Sequence, residues 1–220
     1  MIDKKQIWES IISEGYGQKR EFNKNTVLYR QGEIGKGFYY LSKGEVKISL
    51  LSYQGNERDI DYVTPGHLLG EQGIYRNPYF TTALITIPSI LHFFSEEDFT
   101  KICLDITEAP SIFMDSLVLK VRLLAESTAI LDAPAEYRLA HFLYRLYKRE
   151  NELKIRISQV SLARFIGTSR ITVYKVINQW RDERMIDYNK GHIHFLDISK
   201  LENYLNESLP PPIMANKKLK

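Results

Sequence analysis

Residues 157–180 constrain the fold most, because they contain two short amphipathic segments separated by a single glycine. Ser158 is an N-cap residue type, and Thr168 and Ser169 can cap a second helix. Gly167 suits the left-handed position that ends many helices. Two short helices joined by such a turn predict a helix-turn-helix. The first helix carries the apolar residues Val160, Leu162, Ala163 and Ile166. The inward residues of the second are Val173, Val176, Ile177 and Trp180.

The second of these helices is the candidate for reading DNA. Its N-terminal positions would enter a major groove, where arginine can bond guanine and apolar groups suit the methyl of thymine. Residues 185–195 alternate around Lys190-Gly191 and predict a hairpin, which makes the motif a winged helix-turn-helix. The candidate DNA-binding residues are Ser158, Thr168, Ser169, Arg170, Ile171, Thr172, Lys175, Lys190 and His192. The alternative is a plain helical hairpin with a solvated basic face.

The charge distribution agrees with an anionic partner for this half of the chain. Residues 151–220 hold twelve Lys or Arg against seven acids, which is +5, so the first 150 residues carry −2 of the overall +3. No long uncharged apolar run is present, and residues 1–20 lack the apolar core of a signal peptide. We therefore expect no membrane partner and a cytoplasmic location.

The front half predicts a β-roll followed by helices. Short β-rich runs occur at about ten-residue spacing with glycine in the turns, which is typical of a sandwich or roll. These runs are residues 26–29, 37–41, 45–51, 58–63, 81–87 and 90–94. Lys43-Gly44 is among the predicted turns, an amphipathic helix is predicted over 3–14, and Ser95 is the expected cap of a later helix.

A long helix is predicted over residues 108–131, with a heptad seam along it. The seam consists of Met114, Leu117, Val121, Leu124, Thr128 and Leu131. Two interpretations stay open: the stripe packs on the chain's own roll, or it forms a dimer coiled coil. Asp132 is the expected cap of the next helix, with Pro134 in its first turn.

This order of elements resembles the Crp/Fnr family of transcription regulators. The resemblance covers about residues 20–200 and rests on the motifs at 30–33, 38–41, 43–46 and 70–73 together with 158–180. It implies an α+β fold: an N-terminal double-stranded β-roll (a cupin-like jelly roll), a long dimerisation helix and a C-terminal winged helix-turn-helix. It also implies a homodimer, a palindromic site in double-stranded DNA, a small-molecule effector and, for an activator, contact with RNA polymerase.

The corresponding domain boundaries are 1–107 for the effector-sensing roll, 108–133 for the dimerisation helix and 134–208 for the DNA-binding domain. A basic tail follows over 209–220. The resemblance places an effector pocket between the roll and the long helix. Its expected residues are Gly70, Glu71, Tyr75, Tyr79, Phe80, Thr81, Thr82, Lys120, Arg122 and Leu124.

Departures from the family pattern bear on the effector. Cyclic-nucleotide-binding members carry an Arg-Ser pair after Gly-Glu-x-Gly, but Thr81 and Thr82 occupy these positions here. A buried phosphodiester without a cationic partner is costly, so cyclic AMP is not the expected effector. Aromatic and cationic residues in the candidate pocket suit a carboxylate or phenolate on an aromatic body, as in the halogenated-phenol-sensing branch. The alternative is that the aromatic rings only fill the core of the roll.

Other cofactors and activities find little support in the sequence. Cys103 is the single cysteine, which excludes the cysteine cluster of iron–sulfur members and reads as a small buried hydrophobe or a redox thiol. His67 and His92 are the roll histidines, and neither is distinguished as a haem ligand. No catalytic motif or metal-ligand set is evident, so an enzyme is not expected. The function alternative is a constitutive DNA-binding regulator whose roll serves only dimerisation.

The recognition helix also departs from the family. Many members have Glu between the Arg and the Thr, where it accepts a bond from cytosine, whereas Ile171 stands here. Isoleucine has no acceptor, so we expect a half-site that differs from TGTGA and has a thymine opposite Ile171.

Overall fold

A computed structural model describes residues 4–53 and 55–207 of the chain. The chain divides into two compact units, Met1–Glu126 and Ser127–Lys220. The predicted tail at 209–220 lies outside the described residues. Within the described part, no helix is long and apolar enough to cross a membrane.

The first unit is built on one antiparallel sheet. Its strands run in the order β1-β6-β3-β4, with β2 also pairing with β6 and β5 with β3. The elements are α1 (Lys4–Ser13), β1 (Gln18–Phe22), β2 (Val27–Tyr29), β3 (Phe38–Leu51), β4 (Glu57–Val63), β5 (Leu68–Leu69), a 3-10 helix (Glu71–Gly73), β6 (Thr82–Phe94), α2 (Glu96–Asp105) and α3 (Ala109–Ala129).

Two pairs of strands that the sequence predicts separately are continuous in the structure. The runs 37–41 and 45–51 form β3, and the runs 81–87 and 90–94 form β6. The turn predicted at Lys43-Gly44 is wrong, because both residues lie within β3, at a run of register shifts against β6. Gly44 has φ +104, and a Cβ there would lie 2.0 Å from the Ser89 Oγ. The glycine therefore marks a bulge where two strands approach closely, and not a chain reversal.

Two hydrophobic clusters hold the first unit together. One packs α1, α2 and α3 on the sheet; its buried members include Trp8, Ile11, Phe38, Phe94, Phe99, Ile102, Ile112 and Phe113. The other fills the inside of the roll; its members include Tyr29, Leu41, Val46, Val63, Leu69, Tyr79, Ala83, Ile85 and Leu91.

The predicted cap of α2 is confirmed: the Ser95 side chain accepts a hydrogen bond from the Asp98 N–H, and the Asp98 carboxylate accepts one from the Ser95 N–H.

The second unit begins within the last turn of α3, and its described residues form four further helices and a three-stranded sheet of order β7-β9-β8. Its elements are α4 (Ala135–Glu150), β7 (Lys154–Arg156), α5 (Gln159–Ile166), α6 (Arg170–Asp182), β8 (Ile186–Asn189), β9 (His192–Phe195) and α7 (Ile198–Glu207). Asp132 does not cap α4, because Pro134 occupies the N-cap position. The core is centred on the buried side chains of Leu139, Leu143, Leu162, Ile166, Val173, Ile177, Trp180, Ile193 and Leu201.

Candidate DNA-binding surface and effector site

The caps of the helix-turn-helix lie where the sequence places them. The Ser158 Oγ accepts from the Ser161 N–H at 3.0 Å, and the Ser169 Oγ accepts from the Thr172 N–H at 3.1 Å. Gly167 ends α5 in the left-handed conformation, with φ 65. The Thr168 N–H then donates to the Ala163 carbonyl at 3.0 Å, which closes the turn. The hydroxyls of Ser158 and Ser169 are thus engaged in holding the motif.

Helix α6 separates its core side from its exposed side cleanly. Val173, Val176, Ile177 and Trp180 are buried. Arg170 and Lys175 are exposed, and Ile171 keeps 69% of its surface accessible. The Thr172 hydroxyl lies 2.9 Å from the Ser169 Oγ, so it is shared with the cap. Arg170, Ile171 and Lys175 are the side chains of this set that project furthest from the packed motif.

The predicted wing is a tight hairpin. Strands β8 and β9 pair antiparallel, and both turn residues, Lys190 and Gly191, have positive φ, of 47 and 78. The Ile157 N–H donates to the Gly191 carbonyl at 2.9 Å, so the wing tip is tied to the residue that precedes the Ser158 cap. The hairpin therefore lies beside the start of α5.

Strand β7 adds a cation that sequence reasoning missed. Arg156 is exposed and pairs with His192 across β7 and β9. The signal in the sequence is the alternation Lys154-Ile155-Arg156, in which the isoleucine is buried and both cations are exposed. Arg156, Lys190 and His192 thus lie together at one end of this small sheet.

A buried polar cluster of the first unit joins the 3-10 helix to α3. Glu71, which is 3% exposed, accepts hydrogen bonds at Oε1 from Ser116, at 2.7 Å, and from the Lys120 ammonium. Lys120 also donates to the Leu68 carbonyl at 3.0 Å. Sequence reasoning identified Glu71 and Lys120 but missed Ser116, which lies four residues before Lys120 and so on the same face of α3.

The second carboxylate oxygen of Glu71 has a different environment. Its Oε2 is buried and has no hydrogen-bond partner among the described residues. A buried carboxylate oxygen without a donor is costly, so a donor that reached this atom would stabilise it. The Glu71–Lys120 pair consequently combines a satisfied ion pair with one open acceptor.

The two threonines at the predicted phosphate positions already have partners. The Gln72 amide donates to the Thr81 Oγ1 at 3.1 Å, and the Gln31 N–H donates to the Thr82 Oγ1 at 3.0 Å. Both residues are half-buried. The hydroxyl groups of Thr81 and Thr82 are therefore already engaged within the protein.

The three aromatic residues expected in the pocket divide into one core residue and two exposed ones. Tyr79 stacks on Tyr29 with ring centroids 4.0 Å apart, and its hydroxyl donates to the Gly37 carbonyl at 3.0 Å. Burial raises the pKa of Tyr79 to about 12. Tyr75 and Phe80 are exposed, as is Arg122. Gly70 precedes the 3-10 helix with φ 79.

The predicted seam of α3 is mostly exposed in the single chain. Leu117 is half-buried and packs against the cluster that includes Trp8 and Phe38. Of the remaining members, Thr128 is exposed, and the apolar ones have exposed fractions of 57% for Met114, 66% for Val121, 50% for Leu124 and 41% for Leu131.

The two histidines of the roll and the single cysteine all interact within the first unit. His92 is buried and its Nδ1 lies 2.9 Å from the Ser42 Oγ, whereas His67 is exposed and its Nδ1 lies 3.1 Å from the Thr64 carbonyl. Burial raises the pKa of the Cys103 thiol, which packs at the edge of a core cluster. Among the described residues, no group of three His, Cys, Asp or Glu side chains could hold a metal ion.

Comparison with known proteins matches each unit to a domain type. The model of the cyclic nucleotide-binding domain matches residues 19–105, and that of the Crp-like helix-turn-helix domain matches residues 137–204. An effector-binding domain joined to such a DNA-binding domain defines a transcription regulator. The chain belongs to the Crp/Fnr family.

Relatives with different names and effectors share this architecture. The chain is 25% identical over 197 residues to the cyclic AMP receptor protein of Thermus thermophilus, covering 87% of this chain and 89% of that protein. It matches the c-di-GMP responsive regulator CLP of Xanthomonas campestris with a TM-score of 0.74 and 18% identity, over 86% of this chain and 99% of that one. It matches the OCPA complex of CprK with a TM-score of 0.69 and 20% identity, over 90% and 94% of the two chains.

Proposed function

We propose that this regulator is a homodimer whose affinity for a palindromic DNA site is set by a small anionic effector at Glu71 and Lys120. The observation that carries the proposal is the ion pair between the buried Glu71 and Lys120, with the Glu71 Oε2 left open. An incoming anion would compete with Glu71 for the Lys120 ammonium. A donor group on the same molecule would satisfy the open oxygen.

The effector is an aromatic acid or phenol and not cyclic AMP. A cyclic phosphate requires a cation where it binds, and the corresponding segment supplies the hydroxyls of Thr81 and Thr82, which have partners in the protein. A carboxylate or phenolate needs one cation, which Lys120 provides. Tyr75 and Phe80 add exposed rings in the same segment as these threonines.

The exposed seam of α3 supports the homodimer. Met114, Val121 and Leu124 leave half or more of their surface accessible, and a second copy of the same helix would cover them. A two-fold axis along α3 would present two copies of α6, which suits half-sites about 34 Å apart. Because α3 holds Lys120 and continues past Glu126, a change at the ion pair would be transmitted along this helix to the second unit. An activator of this type would also contact RNA polymerase.

Selection of DNA from a random pool tests the proposal, with the purified protein alone, with cyclic AMP and with a panel of aromatic acids and phenols. We expect a two-fold symmetric site that is bound more tightly with one of the aromatic anions and equally with or without cyclic AMP. A palindrome bound with the same affinity in every condition would instead support the constitutive regulator. That alternative is favoured by the fact that Glu71 is already paired with Lys120 in the protein.

A lysine variant separates effector binding from DNA binding. Lys120→Met should abolish the response to the effector while the DNA sequence preference stays the same, because Lys120 lies in the other unit from α6. Lys101→Met is the matched control, since Lys101 is an exposed lysine of α2. Size-exclusion chromatography with light scattering would test the homodimer directly, and a monomer at micromolar concentration would contradict it.

A further inference from the structure

Helix α6 exposes two large apolar side chains next to its cations. Ile171 is 69% exposed and Tyr174 is 54% exposed, whereas the core side of the same helix is filled by four other residues. Tyr174 was not among the predicted DNA-binding residues. Exposed apolar surface on a helix that has already completed its core packing indicates a surface that a partner covers.

We propose that Ile171 and Tyr174 form one methyl-reading surface, which selects thymines at neighbouring positions of the DNA half-site. The inference deepens the proposed DNA contact through α6 and rests on it. Sequence reasoning assigned a thymine to Ile171 alone; the structure adds Tyr174 and makes the pair a single surface.

The spacing of the two residues fits neighbouring bases. Residues three apart on a helix lie on the same face, with Cβ atoms about 5–6 Å apart. Successive bases along a DNA strand are separated by about 3.4 Å, so the two side chains are between one and two base steps apart. Thymine is the base that presents a methyl group in the major groove.

The charged residues of α6 also favour thymine over cytosine as the base that is read. The helix carries Arg170, Lys175 and Arg181, and its first acid is Asp182, at its C-terminal end. The exposed face near Ile171 therefore offers no carboxylate to accept a bond from cytosine, whose major-groove mark is an amino group. Arg170 and Lys175 flank the apolar pair along the helix, and the pair itself is left to discriminate thymine from cytosine.

Tyrosine suits such a surface because its ring is apolar and its hydroxyl stays polar at the rim. The ring can pack against a methyl group while the hydroxyl faces the sugar-phosphate backbone. Two other exposed apolar residues of the same unit, Leu153 and Leu196, lie outside α6 and provide internal controls.

Replacement of each thymine of the selected site by deoxyuridine, one position at a time, tests the inference. Deoxyuridine removes the methyl group and keeps the base-pairing edge. We expect the affinity of the wild-type protein to fall about fourfold at each of two neighbouring positions in every half-site, as for loss of one buried methyl group. Substitution at the other thymines should have no comparable effect.

Variants then assign the methyl groups to side chains. Ile171→Ala and Tyr174→Ala should each abolish the deoxyuridine effect at one of the two positions, whereas Tyr174→Phe should retain it. Leu196→Ala is the matched control and should leave both effects unchanged. All four variants replace exposed residues, and thermal melting would verify that they are folded.

Several results would overturn the inference. If the wild-type protein binds its selected site and tolerates deoxyuridine at every position, methyl reading is wrong although the proposed DNA contact stands. If Tyr174→Ala keeps both effects and Tyr174→Phe loses as much affinity as the alanine variant, the tyrosine acts through its hydroxyl and not its ring. Failure to select any site would instead contradict the proposed DNA site, and the inference with it.

Discussion

The two candidate sites of this protein are built in opposite ways. On α6 the side chains proposed to read DNA, Arg170 and Ile171, project into solvent, and the polar groups that do bond within the protein are helix caps. Beside the middle of α3, the central residue of the proposed effector site is turned inward: Glu71 is buried and is held by Ser116 and Lys120. One site is open, and the other is closed by the protein itself.

This difference determines how the DNA-binding surface and the proposed effector site can each bind a partner. A rigid, extended partner such as DNA can be met by groups already in place, so little of the binding energy is lost to rearrangement. A small effector at Glu71 and Lys120 must replace contacts that the protein has made internally. Its binding is therefore coupled to the position of α3, and coupling of that kind is what gating requires.

The largest expected effect comes from breaking the inward-facing site. Lys120→Met leaves the Glu71 carboxylate buried without its cation and should lower the free energy of unfolding by about 2–4 kcal/mol. Urea denaturation would measure the loss. Lys101→Met should cost much less, and addition of Glu71→Gln to Lys120→Met should restore part of the stability. An unchanged unfolding midpoint for Lys120→Met would show that the ion pair contributes nothing to the fold.

Removal of an outward-facing group should weaken DNA binding and leave the stability of the fold unchanged. Arg170→Ala should weaken specific DNA binding by about 10–100-fold, the range for one bidentate base contact, and leave the melting temperature unchanged. Fluorescence anisotropy with the selected site would measure the affinity. Lys24→Ala removes the same charge from an exposed position of the first unit and should change binding little. Equal losses in the two variants would mean that only net charge matters.

Within the DNA-binding unit, a wing variant should distinguish phosphate contact from base recognition. Lys190→Asn removes a charge at a turn position with φ 47, which asparagine tolerates. Affinity should fall less than in Arg170→Ala and by a similar factor for all sequences, and the salt dependence should lose about one phosphate contact. Titrations at several salt concentrations would reveal this. A change in the preferred sequence would contradict a role confined to phosphate contact.

The smallest effect expected is a pH dependence of the first unit. Burial, with the nearby Lys19, lowers the pKa of His92. The unfolded chain therefore binds a proton more readily, and stability should fall as the pH is lowered from about 7.5 through the ordinary histidine pKa of about 6.5. Denaturation at a series of pH values would show the slope, which His92→Gln should reduce. The matched variant His67→Gln replaces an exposed histidine and should keep the slope; if it does not, His92 is not the titrating group.

Local chemistry made the DNA-binding motif predictable. Ser158, Gly167 and Ser169 each act within four residues of their own position, so their sequence neighbours decide what they do. The wing turn at Lys190-Gly191 is equally local and is confirmed. The strands of the roll were harder to delimit, because Gly44 serves a close approach to Ser89, a residue that lies next to it only in the folded sheet.

The sequence by itself determined the order of the elements, the caps and turn of the helix-turn-helix and the basic character of the second unit. Each of these depends on residue identity or on contacts a few positions apart. Only the tertiary structure decided that Tyr79 belongs to the core, that Ser116 joins Lys120 on Glu71 and that the Glu71 Oε2 has no donor. These features depend on segments distant in the sequence meeting in the fold, as Glu71 and Lys120 do across 49 positions, and sequence spacing carries no information about such meetings.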